Sequence, residues 1–124
     1  MDIERFIIQY WNSVVTQDEE EIKKYFHEDA SVRWHNTNEQ FTVVEFLRAN
    51  CDYPGRWSGK VERMELIGSS VITVTHVWTK GMSFHVISFF EIKGDKIKNI
   101  DEYWGDDGTA PQWRQDKQIG SPIR

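Results

Sequence analysis

The chain has 124 residues, 39% of them apolar and 28% charged, with a formal net charge of -5. That suits one globular domain and excludes a disordered chain. It carries no Lys/Arg cluster of the kind phosphate binding needs, so nucleic acid is not an expected partner.

The elements read in order along the chain. Ile3, Phe6, Ile7, Tyr10, Trp11, Val14 and Val15 are spaced by three and four, which predicts a helix over 3–15. Asp18 opens a second helix, with Glu21 as the reciprocal residue of a capping-box-like pair and Ile22, Tyr25 and Phe26 on its inner face. Ala30 to His35 reads as a strand. Thr42-Val43-Val44-Glu45 has the capping-box pattern of a third helix, which Pro54-Gly55 stops. From Gly59 the period changes to two. Strands are predicted over Lys60–Ile67, Val71–Thr79, Phe84–Ile92 and Lys96–Trp104, joined by turns at Gly68-Ser69-Ser70, Lys80-Gly81 and Gly94-Asp95. The stretch 105–124 is expected to be a tail that packs on the domain and loosens towards Arg124.

Helices first and an antiparallel meander afterwards argue for α+β, with helices on one face of the sheet. A strongly curved sheet wrapped over helices makes a cone with an open mouth, a default ligand site. No apolar run reaches a membrane span and Met1-Asp2-Ile3-Glu4 lacks a signal-peptide pattern. Cys51 stands alone, so no disulfide or cysteine-based zinc site is expected, and the cytoplasm is the default location.

The last predicted strand ends in Asp101-Glu102-Tyr103-Trp104. Adjacent strand residues point to opposite faces, so one of the two carboxylates faces the hollow. A carboxylate among rings is either costly or useful. His76 and His85 fall opposite each other if the Lys80-Gly81 loop has two residues. They read as an acid/base or metal pair, or as a convex-face pair at a dimer interface. With no placed third ligand the second reading is favoured, and no metal is expected. His35 reads as structural or rim. Six Trp are more ring than a small core needs, so Trp11, Trp34, Trp57, Trp78 and Trp104 are candidate pocket walls, with His76 beside them. Trp113 is expected across the cone mouth or against a partner. Asp29, Asp106 and Asp107 match no calcium loop and read as solvated acids.

Phe26-His27-Glu28-Asp29-Ala30, and Gly94-Asp95-Lys96-Ile97 followed by Glu102-Tyr103-Trp104, resemble the nuclear transport factor 2-like superfamily, most closely its SnoaL-like, ketosteroid-isomerase-like branch. The likeness runs from Ile3 to Trp104. It implies a cystatin-like α+β barrel in a single domain over 1–124. It also selects Glu102 over Asp101 as the inward acid, because an epoxide hydrolase Asp falls there. The isomerase general base is matched by Trp34, its donor Tyr by Tyr10 and its protonated acid by Ser88. The epoxide hydrolase Arg and second Asp have no counterpart in Thr73–Trp78. Neither mechanism is therefore carried over. The resemblance implies a cofactor-free cyclase, isomerase or hydrolase acting on an apolar metabolite, with Glu102 as base, Tyr10 and Ser88 as donors and Asp101 as the alternative acid. The other classes are a non-catalytic binder of a small apolar ligand and a protein-interaction module using the sheet. A homodimer is expected, because apolar groups on a convex sheet need a partner.

Overall fold

The computed structural model describes residues 1–124. Helix α1 (Ile3–Val15) begins at Asp2, whose carboxylate accepts the Arg5 N–H at 3.1 Å. It buries Ile7, Tyr10, Trp11 and Val14, the predicted apolar stripe. Helix α2 (Glu19–Lys24) is capped by Asp18, which accepts the Glu21 N–H. Glu21 does not return the bond and pairs with Lys24 instead, so its capping box is half formed. In α3 (Val43–Cys51) both halves of the Thr42/Glu45 box are present. None of the helices is long and apolar enough to cross a membrane.

Six strands form one sheet in the order β2-β1-β6-β5-β4-β3. They are β1 (Phe26–Trp34), β2 (Glu39–Thr42), β3 (Ser58–Ile67), β4 (Ser70–Thr79), β5 (Met82–Lys93) and β6 (Lys96–Asp106). The last four make the predicted meander. Three features differ from expectation. β1 starts at Phe26 and not at Ala30, so Phe26 is a strand residue and not part of the inner face of α2. The short edge strand β2 was not anticipated, because four residues rich in Glu and Gln give no apolar alternation. The sheet is also not wholly antiparallel: β1 runs parallel to β6. Everything between them, namely β2, α3 and the meander, serves as the long connection that a parallel pair needs.

One face of the sheet is covered by helices and is apolar. Phe26, Val32, Val71, Val86, Phe90 and Ile100 lie on it, packed with Ile7, Tyr10, Ile22 and Phe46. Helix α1 comes so close to β3 that a Cβ on Gly59 would stand 2.6 Å from the Val15 side chain. A glycine there is a packing requirement.

Register is set by short turns and by bulges. Thr79 and Met82 close the Lys80-Gly81 loop, which puts His76 directly opposite His85 as the two-residue reading required. On β6 the pairing steps from Ile92↔Ile97 to Glu91↔Asn99, leaving Lys98 as an extra residue. This bulge changes the phase, so Ile100, Glu102 and Trp104 share the inner face with Ile97.

The tail departs from the sequence expectation. Gly105 to Arg124 is exposed throughout, although α4 (Gln112–Asp116) forms within it. Gly105 and Asp106, as the end of β6, and Asp107 are tied to the body. Trp113 is 58% exposed and carries Arg114 over its ring, so it neither covers the mouth nor packs on the barrel. The tail is too polar and too rich in Gly and Pro to bury a face.

Candidate functional site

Along the inner face, side chains from neighbouring strands line up in rows. Thr73 on β4, Ser88 on β5, Glu102 on β6 and Trp34 on β1 form one such row across the sheet. All but Trp34 are fully or almost fully buried, and Glu102 is 2% exposed. The Glu102 carboxylate accepts two hydrogen bonds. Ser88 Oγ donates to one oxygen at 2.5 Å and the Trp34 indole N–H to the other at 3.0 Å. Trp11 completes the row by donating its indole N–H to Thr73 Oγ1 at 3.3 Å.

Burial dominates the electrostatics of this acid. Loss of hydration raises the Glu102 pKa from 4.5 to about 7, against the opposing pull of its Ser88, Trp34 and Trp104 donors. The indole N–H of Trp104 faces the carboxylate without completing a hydrogen bond, and it is buried with no other partner. Thr75 Oγ1, one row outward beside Val86 and Trp104, is also buried and unpartnered. An unmet buried donor or acceptor costs about 1–3 kcal/mol, so such pairs tend to be filled by water or ligand.

Outward of this row the cone opens into a cavity of about 390 Å³. Trp11, Trp34, Trp57, Trp104, Tyr53 and Phe84 supply its rings. Its polar lining is largely committed to holding the helices together. Gln17 donates to the Asn50 and Tyr53 carbonyls, Asn50 donates to the Val14 carbonyl, and Asn36 accepts the main-chain N–H of Trp104. The single charged group in the wall is Asp106. Glu102 does not line the cavity; the rings of Trp34 and Trp104 stand in the wall beside it.

Several expected site residues fall elsewhere. Tyr10 is core, in edge contact with Trp11, Tyr25, Phe26 and Phe90, and not a wall of the cavity. Burial, followed by the nearby Glu102 charge, pushes its hydroxyl pKa well up. Asp101 points to the convex face, where Arg33 binds it at 2.8 Å and His35 at 2.7 Å. Partial burial pushes its pKa up, but those two hydrogen bonds win and hold it below the ordinary carboxylate range. His76 and Trp78 also lie on the convex face, stacked at 4.5 Å, and are not pocket walls. Strand alternation decides this: Val77 lines the cavity, so its neighbours face away. Asp29 pairs with Lys98 and is remote from Asp106 and Asp107 in its contacts, so the three acids form no cluster.

The comparisons with known proteins agree on architecture. No family model matches the chain, and no curated protein matches it in sequence. Solved structures do match. A candidate ketosteroid isomerase from Kribbella flavida DSM 17836 superposes with a TM-score of 0.81 at 20% identity, over 97% of this chain and 88% of that one. An NTF2-like protein of unknown function from Burkholderia xenovorans LB400 gives 0.81 at 20% identity, over 98% and 95%. The chain has the nuclear transport factor 2-like fold. A candidate SnoaL-like polyketide cyclase from Shewanella putrefaciens CN-32 shares this NTF2-like fold at a TM-score of 0.68 and 12% identity, over 84% and 80%.

Within the NTF2-like cone, the structure joins Glu102 and Ser88 and sets Trp11, Trp34, Trp57 and Trp104 around one cavity. Thr73, Thr75, Phe84 and Tyr53 went unnoticed in the sequence. The first three carried a usable signal, since they share the inward phase of Val71, Val77 and Val86 on strands already recognised. Tyr53 carried none, because it sits in the irregular stretch after α3.

Proposed function

We propose that this protein binds one small, flat, apolar molecule that is neutral or cationic, in the tryptophan-walled cavity of the cone. The observation that supports this reading is the wall itself. Four indoles surround about 390 Å³ that no cationic side chain lines. Ring faces attract apolar surface and positive charge, whereas a carboxylate ligand would meet Asp106 and no counter-ion. The fold gives general support only, since NTF2-like structures described as isomerase, cyclase and epoxide hydrolase candidates share it. The test is a tryptophan-fluorescence titration with matched neutral, cationic and anionic aromatic compounds. Saturable quenching by the first two classes supports the reading. Equal or better binding of the anions overturns it.

A second reading is favoured by Glu102, whose pKa of about 7 suits proton transfer near neutrality. Here the ligand is a substrate, and the carboxylate acts as general base without a cofactor once the Trp34 and Trp104 rings part. The proton it takes would sit on the oxygen beside Ser88, whose hydroxyl can turn to accept it, while the Trp34 indole goes on donating to the other oxygen. Solvent hydrogen exchange into the bound compound would rise with pH through about 7 and disappear in Glu102→Gln. Exchange that persists in that variant removes the reading.

A second copy of the chain is the partner we propose. Ile87, Phe89 and Tyr103 form an exposed apolar patch on the convex face. Light scattering giving a monomer at micromolar concentration would remove that partner.

A further inference from the structure

On the convex face, away from the cavity, four strands bring a second group of side chains together. His76 on β4 and His85 on β5 stack with ring centroids 4.7 Å apart. Glu62 reaches them from β3. It does so because it is the extra residue of a bulge: pairing steps from Val61↔Thr75 to Arg63↔Val74, so Glu62 has no partner on β4. Bulges re-aim side chains, and this one aims a carboxylate at a histidine pair. Asp107, just beyond β6, closes the fourth side. His85 Nδ1 lies 2.5 Å from Asp107 and His85 Nε2 lies 3.0 Å from Glu62. Asp107 also accepts from Ser83 Oγ at 2.5 Å, and Ser83 Oγ is 2.8 Å from His76 Nε2.

We propose that Glu62, His76 and His85 bind a divalent transition ion of the zinc class, with Asp107 as the positioning residue that holds His85. One ligand atom from each of the three lies within 4.8 Å of the others. Donors around a tetrahedral zinc ion stand about 3.4 Å apart, given bonds of about 2.0–2.1 Å, so the site closes once the two stacked imidazoles turn out of parallel and aim at one point. Asp107 holds His85 Nδ1, so Nε2 points at Glu62, and a metal ion there would take the place of the hydrogen bond that now joins the two, as in a carboxylate–histidine–metal relay. Charge points the same way. Neither Glu62 nor Asp107 has a Lys or Arg within 4.0 Å; the only basic side chains paired with them are these histidines. Two imidazoles and one carboxylate select zinc, cobalt or nickel over magnesium and calcium, which want oxygen ligands only. Three protein ligands leave one position open. His76 and Asp107 border a surface hollow together with Trp78, Thr79 and Met82.

The test uses the full chain stripped with chelator and titrated with Co²⁺, then Zn²⁺. One equivalent of Co²⁺ should give the visible bands of an imidazole-containing site, and Zn²⁺ should displace it. Glu62→Gln, His76→Ala and His85→Ala should each weaken binding tenfold or more. Asp107→Asn should weaken it by about 10- to 100-fold, as lost outer contacts do, while leaving the coordination spectrum intact. His35→Ala should change nothing. Should a variant fail to fold, the wild type still decides: Zn²⁺ must shift the ring resonances of His76 and His85, not those of His27 and His35. No saturable cobalt spectrum, unchanged affinity in the three ligand variants, or shifts at His27 and His35 would each overturn the site.

Discussion

Trp34 and Glu102 face each other across the parallel β1–β6 pair, and the indole N–H of one donates to the carboxylate of the other at 3.0 Å. The ring that replaces a carboxylate at this place in the resemblance thus serves the acid of the next strand. It gives Glu102 one of only two bonds in a setting with no counter-ion.

Glu102 should weaken the fold as pH rises. Its folded pKa, about 7, exceeds its ordinary 4.5, so the native state holds the proton longer than the unfolded chain. Stability from this group is therefore intact below about 4.5 and declines through about 7, by roughly 3 kcal/mol at most. Glu102→Gln should remove the decline and be the more stable protein at pH 8. Urea unfolding of both proteins at pH 5 and pH 8 measures this. A variant that is weaker by the same amount at both values contradicts the assignment.

Trp34→Phe keeps the ring but removes the donor. The carboxylate pKa should then move above that of the wild type, and stability at pH 8 should fall by about 1–3 kcal/mol, with a smaller loss at pH 5. Carbon-13 NMR titration of the Glu102 carboxyl reads the first effect directly.

Ala49 lines the cavity from α3 and is only partly buried, so it can be enlarged without disturbing the core. Ala49→Trp should fill the space and weaken any pocket ligand at least tenfold while leaving the melting temperature within a few degrees. Fluorescence titration beside a thermal melt separates the two outcomes.

Gly59→Ala should cost about 1–3 kcal/mol, because the new methyl group meets Val15 at 2.6 Å and Val77 at 3.3 Å. A neutral result would mean that α1 can withdraw from β3. Chemical denaturation gives the answer.

Deleting residues 109–124 should leave the melting temperature and the cavity unchanged, since that whole stretch is exposed. A loss of several degrees would show that the tail packs on the body after all.

The sequence alone determined a great deal of the architecture. Spacings of three and four named the face of α1, Thr42 and Glu45 announced α3, and the two-residue Lys80-Gly81 loop placed His76 opposite His85. These are local rules, set by backbone geometry and by neighbours a few residues away. It also narrowed the inward acid to Asp101 or Glu102. The family resemblance favoured Glu102, and the tertiary structure supplied the physical reason. Simple alternation from Ile97 would have turned Asp101 inward; the extra residue at Lys98 reversed the phase. The same kind of event at Glu62 completed a cluster that two histidines did not foretell. A bulge forms where two strands differ in the length they must cover, so its position belongs to the pairing of distant segments. That is why most elements could be read from local spacing, while local spacing could not fix the facing of the carboxylates.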